Sequence, residues 1–395
     1  MTGAHNLSEL SIKDRVKARI IERRDRLSHN RINSIPSPFV RFKSEFLGVE
    51  QGKMYLISSF TKGAKTQFST FMFVINVLMY AYNHPDKIRV RWFMYLLEET
   101  KEDMMARIMC HLIYHLSGKK IEVSPTALMS SDNIPVPQAA LDVMESQEFN
   151  SIIDFFESHT EFSDSTNPTG VYNECLSYAK AYGTIHTKKK KYRDDNGVEH
   201  EIDGFDFYEP DDEDEYRIIL VDHVSLLSQE RGFTLKQSID KLGEYCIILR
   251  DRYKFTPVLI QQQNTDQESN DAFKMQRLRP TVAGLADSKY TARNTTVFLG
   301  LFSPIKFELN NYKGYNIEIF RDNIRFLEVV LNRGGRQGGI VALYFNGCTC
   351  DFVELPKPDN RVEMDKWYSW LKAKDKAGKA FFTFGIRKMI SRLHR

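Results

Sequence analysis

From Phe39 onward, short apolar runs alternate with stretches in which apolar residues recur every three or four positions. The runs at Met54–Ser58, Arg89–Leu97, Tyr216–Val221, Val258–Gln262, Thr295–Leu301, Phe326–Leu331 and Val341–Phe345 predict strands. The periodic stretches at 67–82, 101–116, 138–157, 170–183 and 234–253 predict helices. Several strand runs are apolar without a break and flanked by helices, as in a parallel sheet covered on both faces. The expected class is α/β, a mostly parallel central sheet flanked by helices with an antiparallel C-terminal extension. Residues 184–215 interrupt the alternation and read as a surface hairpin, Asn196-Gly197 at its tip, followed by an acidic turn. At the N-terminus, residues 8–28 place Ile12, Val16, Ile20 and Leu27 near one face of a basic helix. Such a helix either docks elsewhere or folds back on its own domain. Asn30 to Pro38, with two prolines and two serines, reads as a linker. The expected organisation is a basic linker helix (1–35), a main domain (36–357) and a basic aromatic tail (358–395).

Bulk properties narrow this only a little. The chain's 395 residues suffice for one large α/β domain with appendages. A net charge of +3 implies no global polyelectrolyte role, but the charge is uneven. Residues 1–35 carry eight Lys/Arg against four Asp/Glu, and residues 360–395 carry ten against three. Lys188 to Lys191 form a basic run, whereas Asp206 to Glu215 hold seven acids. Basic termini suit nucleic acid or an acidic partner, and solvated ends are the plainer explanation. The five cysteines are scattered and lack zinc spacing, which points to reduced thiols in a cytoplasmic setting. No stretch has membrane-spanning length and no secretion signal opens the chain, so no membrane partner is expected.

The chemistry concentrates in Tyr55 to Phe68, YLISSFTKGAKTQF. Strand, tight loop, Lys65-Thr66 and helix make the layout of a phosphate cradle. There, backbone N–H groups and Lys65 meet phosphates and the Thr66 hydroxyl ligates Mg²⁺. Set on G-x-x-x-x-G-K-[ST], Ser59 and Ala64 replace the glycines and Gly63 falls one place early. The run IILVDH delivers Asp222 to a strand end, as a Mg²⁺ carboxylate or a capping aspartate. LLEET ends a strand at Glu98-Glu99, and a strand beside the cradle strand would set Glu98 as general base for the attacking water. PVLIQQQNTD closes a buried strand with amides that could bond a γ-phosphate. Arg333 and Arg336 lie in a glycine-rich hairpin, where a guanidinium can reach a neighbouring subunit's triphosphate.

With these five in order, residues from about Ser34 to Leu355 resemble the C-terminal, RecA-like ATPase domain of DnaB-like replicative helicases, in a collar-less, phage-type form. LLEETKEDMMAR is similar to the family's S-L-E-M segment, IILVDHVSLL to I-I-D-Y-L-Q-L-M, PVLIQQQNTD to P-V-I-A-L-S-Q-L-N-R, and LNRGGRQGG to K-N-R-N-G-P-T-G. The resemblance implies a RecA-like P-loop fold that binds ATP and Mg²⁺. It implies Glu98 as the catalytic glutamate, with Lys65, sensor amide Gln262 and arginine finger Arg333. Ser59, Thr61, Lys62, Gly63, Ala64, Lys65, Thr66 and Arg336 would contact nucleotide, and Thr66 and Asp222 the metal. It further implies a homo-oligomer, six subunits as a ring or spiral, tracking single-stranded DNA in replication, with a primase or helicase loader as partner. Arg231, Lys236, Lys274, Arg277, Lys289 and Arg293 are the expected DNA contacts. Ala64, and Leu331 where the family has lysine, depart from the pattern. Two alternatives stay open: a RecA-type recombinase filament on the same core, and, motivated by these departures, a degenerate nucleotide-binding assembly subunit without unwinding activity.

Overall fold

The computed structural model describes residues 11–131, 133–194, 196–264 and 278–374. Its centre is a nine-stranded sheet. The strands in chain order are β1 (Tyr55–Ser59), β2 (Arg89–Leu96), β3 (Thr160–Phe162), β4 (Glu215–Asp222), β5 (Thr256–Gln262), β6 (Val297–Phe302), β7 (Ile324–Asn332), β8 (Ile340–Asn346) and β9 (Asp351–Glu354). Across the sheet they lie β9-β8-β7-β6-β1-β5-β4-β2-β3. β6 through β3 run parallel, and β7, β8 and β9 extend the sheet antiparallel. The α/β class and its antiparallel extension are as the sequence pattern predicts. One expectation fails: β5 and β4 lie between β1 and β2, so the Glu98 strand is not beside the cradle strand. The chain crosses over after β1, and later strands fill the gap.

Successive residues of a strand point to opposite faces, which explains the unbroken apolar runs. Ile57, Trp92 and Ile218 face one layer, where Phe68, Met72, Ile108, Leu112 and Phe156 cover them. Leu56, Phe93, Ile219 and Leu259 face the other, under Val171, Cys175, Leu242, Cys246 and Leu249. The second layer comes from helices Pro168–Ala181 and Leu235–Tyr253. The first comes from the helix after β1, from Lys101–Leu116 and from Gln147–Ser158. The predicted 138–157 helix is two, Gln138–Met144 and Gln147–Ser158, because the Ser146 side chain accepts from Phe149 N and caps a new start.

Flanking segments dock on this body. Ile35–Pro36 pairs antiparallel with Gly48–Val49, and Ile35 and Phe39 are fully buried. Gly48 has φ +125, and a Cβ there would lie 2.0 Å from the Ile35 carbonyl oxygen, so only glycine fits. Helix α1 (Ile12–Ser28) is tied down at its C-terminal end, where Arg26 and then Arg31 reach Asp214 at 2.7 and 3.2 Å. Its Ile12, Val16, Ile20, Ile21 and Leu27 stay exposed. Between Pro168–Ala181 and β4 a long antiparallel hairpin projects, Gly183–Arg193 against Glu199–Pro210. A further helix covers 361–374, packing Tyr344 against Trp367 and Trp370. Among the described residues no helix is long and apolar enough to cross a membrane.

Candidate active site

Parallel register brings the chemistry to one edge. Ser59 pairs with Gln262 across β1 and β5, and Asp222 pairs with Leu96 across β4 and β2. The carboxyl ends of these strands therefore open side by side, and Glu98 lies two residues past Leu96.

After β1 the chain makes a tight loop and enters a helix at Lys65. Lys62 and Ala64 take left-handed conformations, φ 62 and 71. A Cβ on Gly63 would sit 2.6 Å from the Ser59 side chain, so Gly63 is the glycine this loop requires. Ala64 accepts the positive φ at a cost of about 1–2 kcal/mol. The helix then widens over Thr70–Ile75. Ser69 and Thr70 hydroxyls donate back to the Lys65 and Thr66 carbonyls, both at 2.9 Å.

Lys65 Nζ lies 3.7 Å from Glu98 Oε2, and His223 Nε2 lies 3.5 Å from the same oxygen. Burial first, and Lys65 second, lower the His223 pKa, so the ring is neutral at pH 7 and its contact with Glu98 is not an ion pair. Glu99, next in sequence, is held differently: its carboxylate takes a two-pronged hydrogen bond from Arg107, with Nη1 at 2.8 Å. Of the two glutamates, Glu98 is the half-exposed one facing the cradle.

Asp222 is almost completely buried at the foot of this group. Burial chiefly raises its carboxyl to about 7, opposed by the Thr66 hydrogen bond, with Glu99 raising it, Lys65 lowering it and Glu98 raising it. Its Oδ1 is buried without a hydrogen-bond partner among the described residues. A buried, unpaired carboxylate oxygen beside a Thr hydroxyl fits a hard divalent cation with oxygen ligands.

The three glutamines separate by role. Gln261 is fully buried and donates to the Ser288 carbonyl at 2.7 Å, and Gln263 donates to Ser58 Oγ at 2.8 Å. Gln262 turns to the cradle and donates to Thr61 Oγ1 at 2.5 Å.

The hairpin arginines lie elsewhere. Asn332 pairs with Val297, the first residue of β6, and Val297 pairs with Tyr55, the first residue of β1. Arg333 therefore stands at the edge opposite its own cradle, about 13 Å of strand away. Its guanidinium donates to the Thr295 carbonyl at 2.9 Å and to the Arg293 carbonyl at 2.6 Å. Arg336 is largely exposed, 3.8 Å from Glu45. Of the expected DNA contacts, Lys236, Lys289 and Arg293 line one hollow of about 390 Å³ with Tyr290. Lys236 also pairs with Asp240 at 2.7 Å. Arg231 is exposed in the turn after β4, and Lys274 and Arg277 lie outside the described residues.

Sequence reasoning missed three participants: the Glu99–Arg107 clamp, His223 against Glu98, and Lys306, which donates to the Thr61 carbonyl at 3.1 Å. The i to i+8 spacing of Glu99 and Arg107 could have suggested the clamp. Nothing in the local pattern marks Lys306.

No protein-family model matches the chain, and no curated protein matches it. Among solved structures it is similar to one described as an ATPase domain, with TM-score 0.59 and 13% identity over 88% of this chain and 100% of that one. It is also similar to a DnaB-like replicative helicase described with its interactions with primase, with TM-score 0.56 and 12% identity over 87% of this chain and 67% of that one. At such identities the likeness is one of fold. The chain shares the RecA-like P-loop fold of ATPase and helicase domains.

Proposed function

We propose that the chain is an ATP-dependent, DnaB-like translocase that moves on single-stranded DNA as a ring or spiral of copies, six in number, during replication. The carrying observation is the gathering of Lys65, Thr66, Asp222, Glu98 and Gln262 at one sheet edge, with Asp222 Oδ1 buried and without a hydrogen-bond partner among the described residues. The loop amides from Thr61 to Thr66 and the Lys65 ammonium hold the phosphates of ATP. Thr66 and Asp222 would hold Mg²⁺, which when bound neutralises phosphate charge. Glu98 accepts the proton of the attacking water, with Lys65 and His223 facing its Oε2. Gln262 bonds the γ-phosphate in place of Thr61 and carries its loss into the chain after β5.

Arg333 and Arg336 act on the next copy's triphosphate, because register puts Arg333 at the far edge from its own. The exposed stripe of α1 fits a neighbour's pocket of about 640 Å³, lined by Met105, Met109, Met129, Leu141 and Met144. Methionines adapt to such a helix face. Lys236, Lys289 and Arg293 face the DNA backbone. Electron microscopy with a non-hydrolysable ATP analogue and an oligonucleotide tests this reading. It expects closed or spiral assemblies, and single-stranded DNA raising ATP turnover. A continuous filament would favour recombinase-type assembly. The contacts of Arg333 to carbonyls of its own chain favour one competitor, a nucleotide-binding assembly subunit. That competitor binds ATP without DNA-stimulated turnover.

A further inference from the structure

Two strands flank β1, and each sends one side chain to the same cradle residue. From the end of β5, Gln262 donates to Thr61 Oγ1 at 2.5 Å. From just beyond β6, Lys306 donates to the Thr61 carbonyl at 3.1 Å. Lys306 sits in the short turn Pro304–Phe307, and rings fix its position. Its Nζ is 5.6 Å from the Phe60 ring centroid and 6.0 Å from that of Phe307, and those two rings meet edge to face at 5.6 Å. Phe307 is in turn stacked on Phe302 of β6 at 5.5 Å. An aromatic seat of this kind holds an ammonium by cation–π attraction and limits the rotamers it must give up on binding.

We infer that Lys306 is a phosphate-binding cation supplied by the same protomer, acting at the γ-phosphate end of the cradle and setting its preference for triphosphate over diphosphate. The inference rests on the nucleotide reading of the Lys65 loop. Thr61 lies in the first half of that loop, away from the helix start that meets the inner phosphates, and Gln262 marks the same end. The Thr61 carbonyl is a neutral acceptor, whereas a terminal phosphate oxygen is charged. An ammonium hydrogen bond to the latter is roughly twice as strong as a neutral one. Triphosphate therefore offers Lys306 a charged acceptor beside Thr61, and diphosphate offers none. Arg333, at the opposite edge of its own protomer, cannot do this in cis.

The test is equilibrium binding of fluorescent ADP and of a fluorescent non-hydrolysable ATP analogue, each with Mg²⁺, to the full chain. The proteins are wild type, Lys306→Met, Lys306→Gln and Lys306→Arg. Methionine keeps an unbranched stem across the two rings and removes the charge, and glutamine guards against a misfit of the thioether. Thermal melting checks that each variant folds. The expected result is a triphosphate preference in wild type that falls about 10-fold in the Met and Gln variants. ADP affinity stays within about twofold, and Arg restores the preference. Equal weakening of both nucleotides, or an unchanged ratio, overturns the inference and assigns Lys306 to holding the loop. If wild type binds neither nucleotide, the cradle reading falls and this inference falls with it.

Discussion

The cradle edge and the projecting hairpin are both dense in charge, but they treat it in opposite ways. In the hairpin, Lys188 meets Asp206 at 2.7 Å, Lys189 meets Asp203 at 3.1 Å and Lys191 meets Glu199 at 3.2 Å. His186 and His200 likewise face Glu209 and Asp194. At the cradle, Lys65 stands 3.7 Å from Glu98, and Asp222 Oδ1 and His223 Nδ1 are buried with no partner among the described residues. Charge left unanswered inside a fold is poised for something that arrives. Charge answered across a ladder is already spent on solubility and register. A basic run in a sequence does not reveal which kind it is, because the answering carboxylates lie eight to eighteen residues away.

Substitutions can break that contrast, and Lys65→Ala should act most strongly. Nucleotide affinity and turnover should fall at least about 100-fold with melting temperature nearly unchanged. Equilibrium binding and phosphate release would read it, and intact turnover would remove the cradle from the chemistry. Asp222→Asn should abolish Mg²⁺-dependent turnover yet stabilise the metal-free protein. The native carboxyl, raised to about 7, holds its proton more tightly than the unfolded chain does. Stability is therefore lost as pH rises from about 4 to 7, and the cost is full above 7. Asparagine escapes that loss, so in EDTA at pH 8 the variant should be more stable by on the order of a few kcal/mol. The gain should shrink as pH falls from 7 toward 4, and its absence at pH 8 would mean the carboxylate is better solvated than the structure shows.

Arg107→Met tests the one glutamate at this edge that is fully answered. It strands Glu99 in a half-closed site and should cost about 3 kcal/mol in denaturant unfolding. A cost near zero would show Glu99 reaching water. Behind the cradle helix, His111 is buried between Phe71, His115 and the 349–351 turn, with Nδ1 3.1 Å from the Thr349 carbonyl. Burial, the largest influence, lowers its pKa although Asp351 pulls the other way. The native ring stays neutral while the unfolded ring takes a proton below about 6.5. Stability should therefore fall as pH drops below 6.5, and His111→Phe should flatten that slope in melting curves. The smallest effect belongs to the hairpin. Changing Lys188, Lys189, Lys190 and Lys191 together to Gln should move stability by less than about 1 kcal/mol. Single-stranded DNA affinity should move less than twofold, and a larger loss would make the hairpin a nucleic-acid element.

How much was legible follows the same line. Strands buried on both faces announced themselves, since Ile218 and Ile219 must each enter a different core. Edge strands β3 and β9 did not, having only three and four residues. Lys65, Thr66, Asp222, Glu98 and Gln262 stood out because each closes a strand or opens a helix, and parallel register then gathers such ends. The order of the strands was not legible. Nothing in the sequence says that β5 and β4 insert between β1 and β2. Lys306 reaches Thr61 because β6 lies beside β1, which no local pattern encodes, whereas the Glu99–Arg107 clamp left only its i to i+8 spacing as a trace. The loop itself was half legible: the glycine was visible at 63, but that it relieves contact with Ser59 appears only in three dimensions.

The outermost strands of the sheet have a consequence for how copies can meet. β3 and β9 are short, and only β3 carries an exposed acid, Glu161, since Asp351 and Glu354 of β9 are nearly buried against Lys119 and Arg41. Margins this stubby give a further ribbon little to pair with, so they disfavour lengthening of the sheet from molecule to molecule. Any association of this chain with itself is steered to its helices and loops, where it can be made and undone without disturbing the backbone ladder within.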